Sequence, residues 1–468
     1  MLKKYKTATN DLIILVTLSF SNISESVFRI IAKLNQYAKL HGINHCVNKR
    51  YHLVERFLWL TFVFSAFSGV FFVGNKQMER YTANPTVISL ERDFRLWNGT
   101  IPALTFCYQN RFDEVKATNL IKLFWNISAD DAEFPYFLNY VRMVVNASIS
   151  SLNTFKRYSV DKRLEAFDMF LVARDVHPEN VATISGFDPN LKLLFNKVMT
   201  EKGICFTVNS IILNSGIATN EVEKVQNQTS NQLVTCSYIT NQCNMRLEIS
   251  NKTVKYSFHS PYETVTEYSI FSEMGTTEEV EITLNIVETM ASPILRSLSA
   301  IQRRCLFYDE SISGLEGYSV SICIQKCRAE AAISLCGCKP HFYSFLNGTS
   351  CSPRALVCLE EKFWPNNLTC NCPKTCSELV YKSNSFKKSD WAIDSETSIL
   401  SRDSSLRYEI LAQKIRYRRD VLFSFEDLIV SFGGIASLFL GYNFWNTLEM
   451  LYYLLNAAIN ILSKRFQT

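Results

Sequence analysis

Two uncharged apolar runs near opposite ends of this 468-residue chain constrain its fold more than any other feature. The first, Phe57 to Asn75, reads FLWLTFVFSAFSGVFFVGN. The second, Leu428 to Leu448, reads LIVSFGGIASLFLGYNFWNTL, and beyond it only Glu449 carries charge before Lys464. About 20 apolar residues cover the hydrocarbon core of a bilayer, so each run is long enough to span one. The competing reading, a pair of buried core helices, is the weaker one, because uncharged runs of this length near both ends are uncommon in soluble domains. A third run, Leu12 to Phe20 behind Lys3, Lys4 and Lys6, imitates a signal peptide but is too short to span and lacks a small-residue cleavage site.

Sequons and cysteines set the expected topology. Of eight Asn-x-Ser/Thr sites, Asn22 precedes the first run, while Asn98, Asn126, Asn146, Asn227, Asn251, Asn347 and Asn367 lie between the two. The 15 cysteines divide the same way: Cys46 stands alone before the first run and the other fourteen lie between the runs. An even set on one side and a single thiol on the other suit an oxidising exterior and a reducing cytosol. Residues 1–56 hold nine Lys/Arg against three acids, which fits the positive-inside rule. Arg416, Arg418 and Arg419, just outside the second run, dilute it. The expectation is a membrane protein of α+β class in the cell membrane, with both termini cytoplasmic. Two transmembrane helices would flank a large disulfide-rich extracellular domain with a β core and peripheral helices. Its parts would be a cytoplasmic segment 1–56, spans 57–75 and 427–458, an extracellular region 76–426 and a cytoplasmic tail 459–468.

Within the outer region, Asn119–Trp125 reads as helix, and Glu279–Val287 alternates with period two, as a half-buried strand does. Ser319 to Leu335 reads as a helix with Ser319 or Ser321 at its N-cap. Cys323 and Cys327 then share a helix face, ~6 Å apart along the axis. Cys370 and Cys372, on a strand, would share a face ~6.6 Å apart. Matching spacings make a ladder geometrically feasible, with Cys305 and Cys376 outside it and Cys336, Cys338, Cys351 and Cys358 in an inner loop, although connectivity stays open at this level. Zinc prefers C-x2-4-C pairs with histidine partners, so a metal cluster fits these extracellular cysteines poorly. His41, His45, Cys46 and His52 form the one other metal-type cluster, and Gly42 inside its spacing weakens the helix it would need. No hydrolase, metalloprotease, dinucleotide or P-loop motif occurs. The net charge of +5 gives no nucleic-acid signal. The sequence therefore reads as a non-enzyme without cofactor, metal or nucleic-acid partner.

Several pieces, in order, resemble the epithelial sodium channel/degenerin family, and most closely its insect pickpocket branch. His41-Gly42 resembles the family's gating motif ahead of the first span. Tyr81 and Pro85-Thr86 resemble its post-span segment. Ile101-Pro-Ala-Leu-Thr-Phe-Cys107 and Gly203-Ile-Cys-Phe-Thr-Val-Asn209 resemble two of its strand motifs. Gln302-Arg-Arg-Cys305 with Asp309-Glu310 opens a cysteine-rich block in matching order. Phe432-Gly-Gly434 through Ser437-Leu-Phe-Leu-Gly441 to Glu449 resembles the pore helix. The resemblance implies disulfides Cys107–Cys205, Cys305–Cys376, Cys323–Cys372, Cys327–Cys370, Cys336–Cys358 and Cys338–Cys351. By exclusion Cys236 would pair with Cys243, at a place where the chain departs from its relatives.

Two spans cannot enclose a water path, and the resemblance implies a homo- or hetero-trimer of related subunits conducting sodium, with the second spans lining the pore. Gly434, Ser437 and Gly441 give a small-residue face for close helix approach. Gly441-Tyr442-Asn443 stands at the place of the G-x-S selectivity filter, where backbone carbonyls replace part of an ion's hydration shell. Asn443 is larger than the family's serine and leaves sodium-over-potassium selectivity open. Glu449 would form a carboxylate ring at the inner mouth. Val430 stands where relatives have a small gate residue, Gly433 would serve as a hinge, and His41 and Gly42 would sit beneath the pore. The alternatives are a non-conducting modulatory subunit, made plausible by Asn443 and Val430, and a two-span lipid-binding glycoprotein of scavenger-receptor type.

Overall fold

The computed structural model describes residues 42–47, 50–93, 97–165, 167–188, 193–212, 233–237, 243–310, 317–366, 368–390 and 403–466. His41, the run Leu12–Phe20, Asn22, Asn227 and Asn367 lie outside the described residues. The chain divides into two compact units, Met1–Val87 with Val421–Thr468, and Ile88–Asp420.

The larger unit is built on two sheets. Glu278–Ala291 is the long strand of the first, and its inward side chains Val280, Ile282, Leu284 and Ile286 recur at period two, as expected for Glu279–Val287. It pairs antiparallel with Glu378–Asp390, where Ile282 faces Phe386. On it Asp403–Ile410 lies parallel, with Ile282 opposite Tyr408, and farther along so does Arg416–Val421. Asn244–Ser250 and Ala182–Gly186 extend the sheet from Asp403–Ile410, and Thr86–Glu91 extends it from Arg416–Val421. The second sheet runs Ser272–Met274, Val254–His259, Ala103–Tyr108, Gly203–Val208, Asn196–Thr200. Its central strands, ALTFCY and GICFTV, are buried on both faces, so they read as continuous apolar runs rather than as alternation. Phe106, Phe206, Val208, Leu247, Val280, Leu284, Leu406 and Tyr408 form one core across these strands.

Helices pack a second core. Glu114–Trp125, Phe134–Asn146, Met169–Val176, Val320–Cys336 and Pro353–Glu361 bury Phe137, Tyr140, Ala329, Phe342, Leu356 and Trp364 together. The helix expected from Asn119 begins at Glu114, because the Asp113 carboxylate caps the N–H groups of Val115 and Lys116. The helix expected over Ser319–Leu335 runs Val320–Cys336 and stops at Gly337, whose φ of +74° closes it in the left-handed region. Ser319 is its N-cap residue, yet its hydroxyl caps nothing. Glu263 does the capping from outside, accepting from the N–H groups of Val320 (3.2 Å) and Ser321 (2.8 Å).

Seven disulfides are formed: the six that the family resemblance implies, and Cys236–Cys243, the pair left by exclusion. One expectation needs correction. Cys370 and Cys372 do not lie on a strand; the next strand, Lys374–Thr375, begins after them. The rungs to Cys323 and Cys327, with Cα separations of 5.9 and 6.0 Å, pin this segment to the helix without sheet pairing. Between strand and helix layers sits a buried ion pair: Arg328 Nη1 is 2.5 and 2.6 Å from the Glu201 carboxylate oxygens, and Tyr343 donates to Glu201 at 2.7 Å. Burial, followed by the Glu201 charge, raises the Tyr343 phenol well above its usual range. Two of the three arginines that diluted the charge rule are neutralised locally. Arg416 pairs with Glu288 at 2.6 Å, and Arg418 with Glu91 and Asp420.

In the smaller unit, Leu53–Ala83 is the one helix among the described residues that is long and apolar enough to cross a membrane by itself. The second apolar run is not a single helix over 427–458. It forms Phe425–Leu440 and Phe444–Phe466, bent 86° apart, and passes the same test only as a bent pair.

Candidate pore and gating site

The break in the second run has a local cause. Gly441 adopts φ +62°, in the left-handed region that a Cβ penalises, and ends the first helix. Its N–H donates to Ser437 O at 2.9 Å, and the Tyr442 N–H donates to Ala436 O at 3.3 Å. The chain restarts at Phe444, where Asn443 Oδ1 accepts the Asn446 N–H at 3.1 Å and Asn443 O accepts the Thr447 N–H at 3.3 Å. Gly441, Tyr442 and Asn443 are thus the whole linker between two helices. A helix end leaves its last carbonyls without intrahelical partners and carries partial negative charge.

Helix Phe425–Leu440 is fixed at its start by a capping box. Ser424 Oγ accepts the Asp427 N–H at 3.1 Å, and the Ser424 N–H donates to Asp427 Oδ2 at 2.9 Å. Just before it, the N–H groups of Leu422 and Phe423 both donate to Pro85 O, at 2.7 and 3.2 Å. The Arg80 guanidinium lies over the Phe423 ring, 5.0 Å from its centroid. The Tyr81 ring lies 6.3 Å from that of Phe425, centroid to centroid, so Tyr81 and Pro85, read in the sequence as a post-span segment, are where the two helical segments of this unit are tied together.

At 3.6 residues per turn, Leu428, Phe432, Ile435 and Phe439 fall on one stripe of this helix. The stripe packs on Leu53–Ala83 through two glycines that the sequence reading passed over. A Cβ at Gly69 would stand 2.7 Å from Phe439 Cε1, and one at Gly74 3.1 Å from Phe432 Cε1. Close helix approach in this unit thus uses Gly69 and Gly74, visible in the sequence only as small residues inside an aromatic run. Val430, Gly434 and Ser437 fall on the opposite stripe, all exposed, with Val430 at 74%. A Cβ at Gly433 or Gly434 would meet nothing within 4 Å.

Ahead of the first helix, Gly42 has φ +87°, and a Cβ there would come within 2.9 Å of Val63 Cγ2. The short helix Ile43–Val47 follows. His45 stacks on Trp59 with ring centroids 4.4 Å apart, and Arg56 Nε donates to Cys46 O at 2.9 Å. Gly42 therefore sits against the side of the first helix near its start. Cys46 is the free thiol, buried, and donates to Gly42 O at 3.5 Å. Glu449 lies on the second half of the bent pair, six residues after Asn443, and is half-buried. Among the described residues no His/Cys/Asp/Glu group is arranged to hold a metal ion. Asn98, Asn126, Asn146, Asn251 and Asn347 are all exposed in the larger unit.

The profile of the family described as "Amiloride-sensitive sodium channel" matches residues 36–453. The chain belongs to that family. Among curated relatives, the sodium channel protein Nach of Drosophila virilis is 30% identical over 38% of this chain and 50% of its own length. The chain thus matches about half the length of that relative. Pickpocket protein 28 of Drosophila melanogaster is 22% identical over 89% of this chain and 76% of its own length. The human bile acid-sensitive ion channel is 23% identical over 88% and 83% respectively. These relatives agree with the pickpocket-like resemblance read from the motifs.

Proposed function

We propose that this chain is a subunit of a trimeric, sodium-permeable, amiloride-sensitive cation channel of the degenerin/epithelial sodium channel type, in the cell membrane of sensory or epithelial cells. In this reading Leu53–Ala83 and the bent pair are the two spans, both termini are cytoplasmic and the larger unit is extracellular. Glycans occupy the exposed sequon asparagines, and the partners are identical or related subunits, sodium ions and the bilayer.

The observation that carries the reading is the pairing of a helix broken at Gly441 with an uncovered stripe of Val430, Gly434 and Ser437. Backbone that leaves the helix at membrane depth is tolerated where it lines a water-filled path. Three copies arranged with this stripe inward would place Gly441 to Asn443 around one axis, as a ring of backbone dipoles around a cation. Glu449 would contribute a carboxylate from each subunit below it, favouring cations over anions. Val430 and Gly433 would set the gate near the outer end of the pore, and His41-Gly42 would couple the cytoplasmic segment to the first helix. Asn443, in place of the family's serine, also supports a second reading, a subunit that modulates related channels without conducting.

Recording from cells that express the chain alone and with a related subunit tests both. A sodium current blocked by amiloride and abolished by Gly441→Trp at unchanged surface amount is the expected result. Normal surface delivery without current in any pairing, and without effect on a partner's current, would sink both readings.

A further inference from the structure

We propose that Asn443 is a positioning residue that caps the lower helix of the bent pair, and that its side-chain oxygen is not an ion ligand. This rests on the pore reading above and deepens it. The Asn443 side chain is already engaged: its Oδ1 accepts the N–H of Asn446, three residues on, at 3.1 Å. That is the N-cap geometry, in which a short side chain takes up one of the orphan donors of a helix start. The residues around it complete a bracket. Asn446 Nδ2 reaches back to Gly441 O at 3.5 Å, and Thr447 Oγ1 donates to Asn443 O at 3.4 Å. One end of the bend is closed by Gly441 and the other by Asn443, with Tyr442 alone between them.

The capping role accounts for the substitution itself. Serine and asparagine differ in volume, and an ion ring built from side-chain oxygens would feel that difference. As N-caps they are nearly equivalent, along with aspartate, whereas alanine is poor. Glutamine carries the same amide one methylene farther out and does not belong to the favoured N-cap set. The series Asn443→Ser, →Asp, →Ala and →Gln therefore separates the two roles.

The test uses the full-length chain in lipid nanodiscs, with its partner subunit where one is required. Hydrogen exchange is followed at the amides of residues 444–447, and sodium-to-potassium permeability is measured in parallel. Asn443→Ala and Asn443→Gln should each speed exchange at Asn446 about fivefold, the loss of one cap at about 1 kcal/mol. They should also shift the permeability ratio. Asn443→Ser and Asn443→Asp should restore slow exchange, and Asn443→Ser should restore the ratio. Wild-type permeability in Asn443→Gln together with an altered ratio in Asn443→Ser would overturn the proposal, since that order follows ligand chemistry rather than capping. Unchanged exchange in Asn443→Ala would overturn it too. If the wild-type protein carries no current, the channel reading fails while the exchange arm still decides the cap.

Discussion

Gly42 carries two constraints at once. Its φ of +87° lies where a Cβ is strained, and the same Cβ would come within 2.9 Å of Val63 on the first helix. Backbone held in such a region costs roughly 1–3 kcal/mol for a residue with a side chain. Gly42→Ala should therefore loosen the turn that seats Ile43–Val47 against Trp59 and Arg56. Cys46 gives a direct readout, because its thiol is buried in that turn, with 8% of its surface exposed. A thiol reagent should label Cys46 several-fold faster in Gly42→Ala than in the wild type. Equal labelling rates would show that the turn tolerates a Cβ and that Gly42 is not there for its backbone.

At the scale of elements, what could be read from the chain tracked how local the cause was. The strand Glu278–Ala291 announced itself by alternation, and the helix Val320–Cys336 by its formers and its leading serine. The bend in the second apolar run was legible as a glycine but not as two helices, since the Asn443 bond to Asn446 depends on where the chain restarts. The seat of Phe432 and Phe439 on Gly74 and Gly69 was invisible, because glycines in an apolar run carry no sign of which partner they receive. Capping of Val320–Cys336 failed for the same reason. Ser319 has the right residue type, but Glu263, 57 residues away from Val320, reaches the backbone instead. A carboxylate bonded to two helix N–H groups and to the Ser319 hydroxyl at 2.7 Å should matter more than that hydroxyl does. Glu263→Ala is expected to lower the stability of the full-length protein by about 1–2 kcal/mol, and Ser319→Ala by less. Thermal melts of the two variants check the order, and a larger loss from Ser319→Ala would return the cap to the serine.

For the larger unit as a whole, the same burial that builds its cores sets a pH limit. Three of the six histidines in the chain lie in it, and all three are held neutral by burial. His177 is pushed down to about 3, with the Lys197 charge adding to the burial. His341 is also pushed down to about 3, and His259 to about 4. A histidine titrates near 6.5 in the unfolded chain, so below that pH the unfolded state takes up protons that the folded state refuses. The stability these groups carry is complete above pH 6.5 and drains away as the pH falls. At pH 5 the deficit is roughly 2 kcal/mol for each of the fully enclosed pair, His177 and His341, from 1.5 pH units at 1.36 kcal/mol per unit. Against a typical total of about 5–15 kcal/mol, that is a large share. Carboxylates lowered by their partners, such as Asp309 beside Arg296 and Glu179 beside Lys116, hold their contribution until the pH approaches their own range. Acid should therefore destabilise the protein in two stages, the first beginning near pH 6.5 and due to the histidines, the second below about pH 4.5. Melts of the purified protein from pH 7.5 to 4 should show the first stage, and His341→Gln should flatten it. A midpoint that stays level down to pH 5 would mean that these rings are protonated in the native state and that their burial is not as complete as the packing indicates.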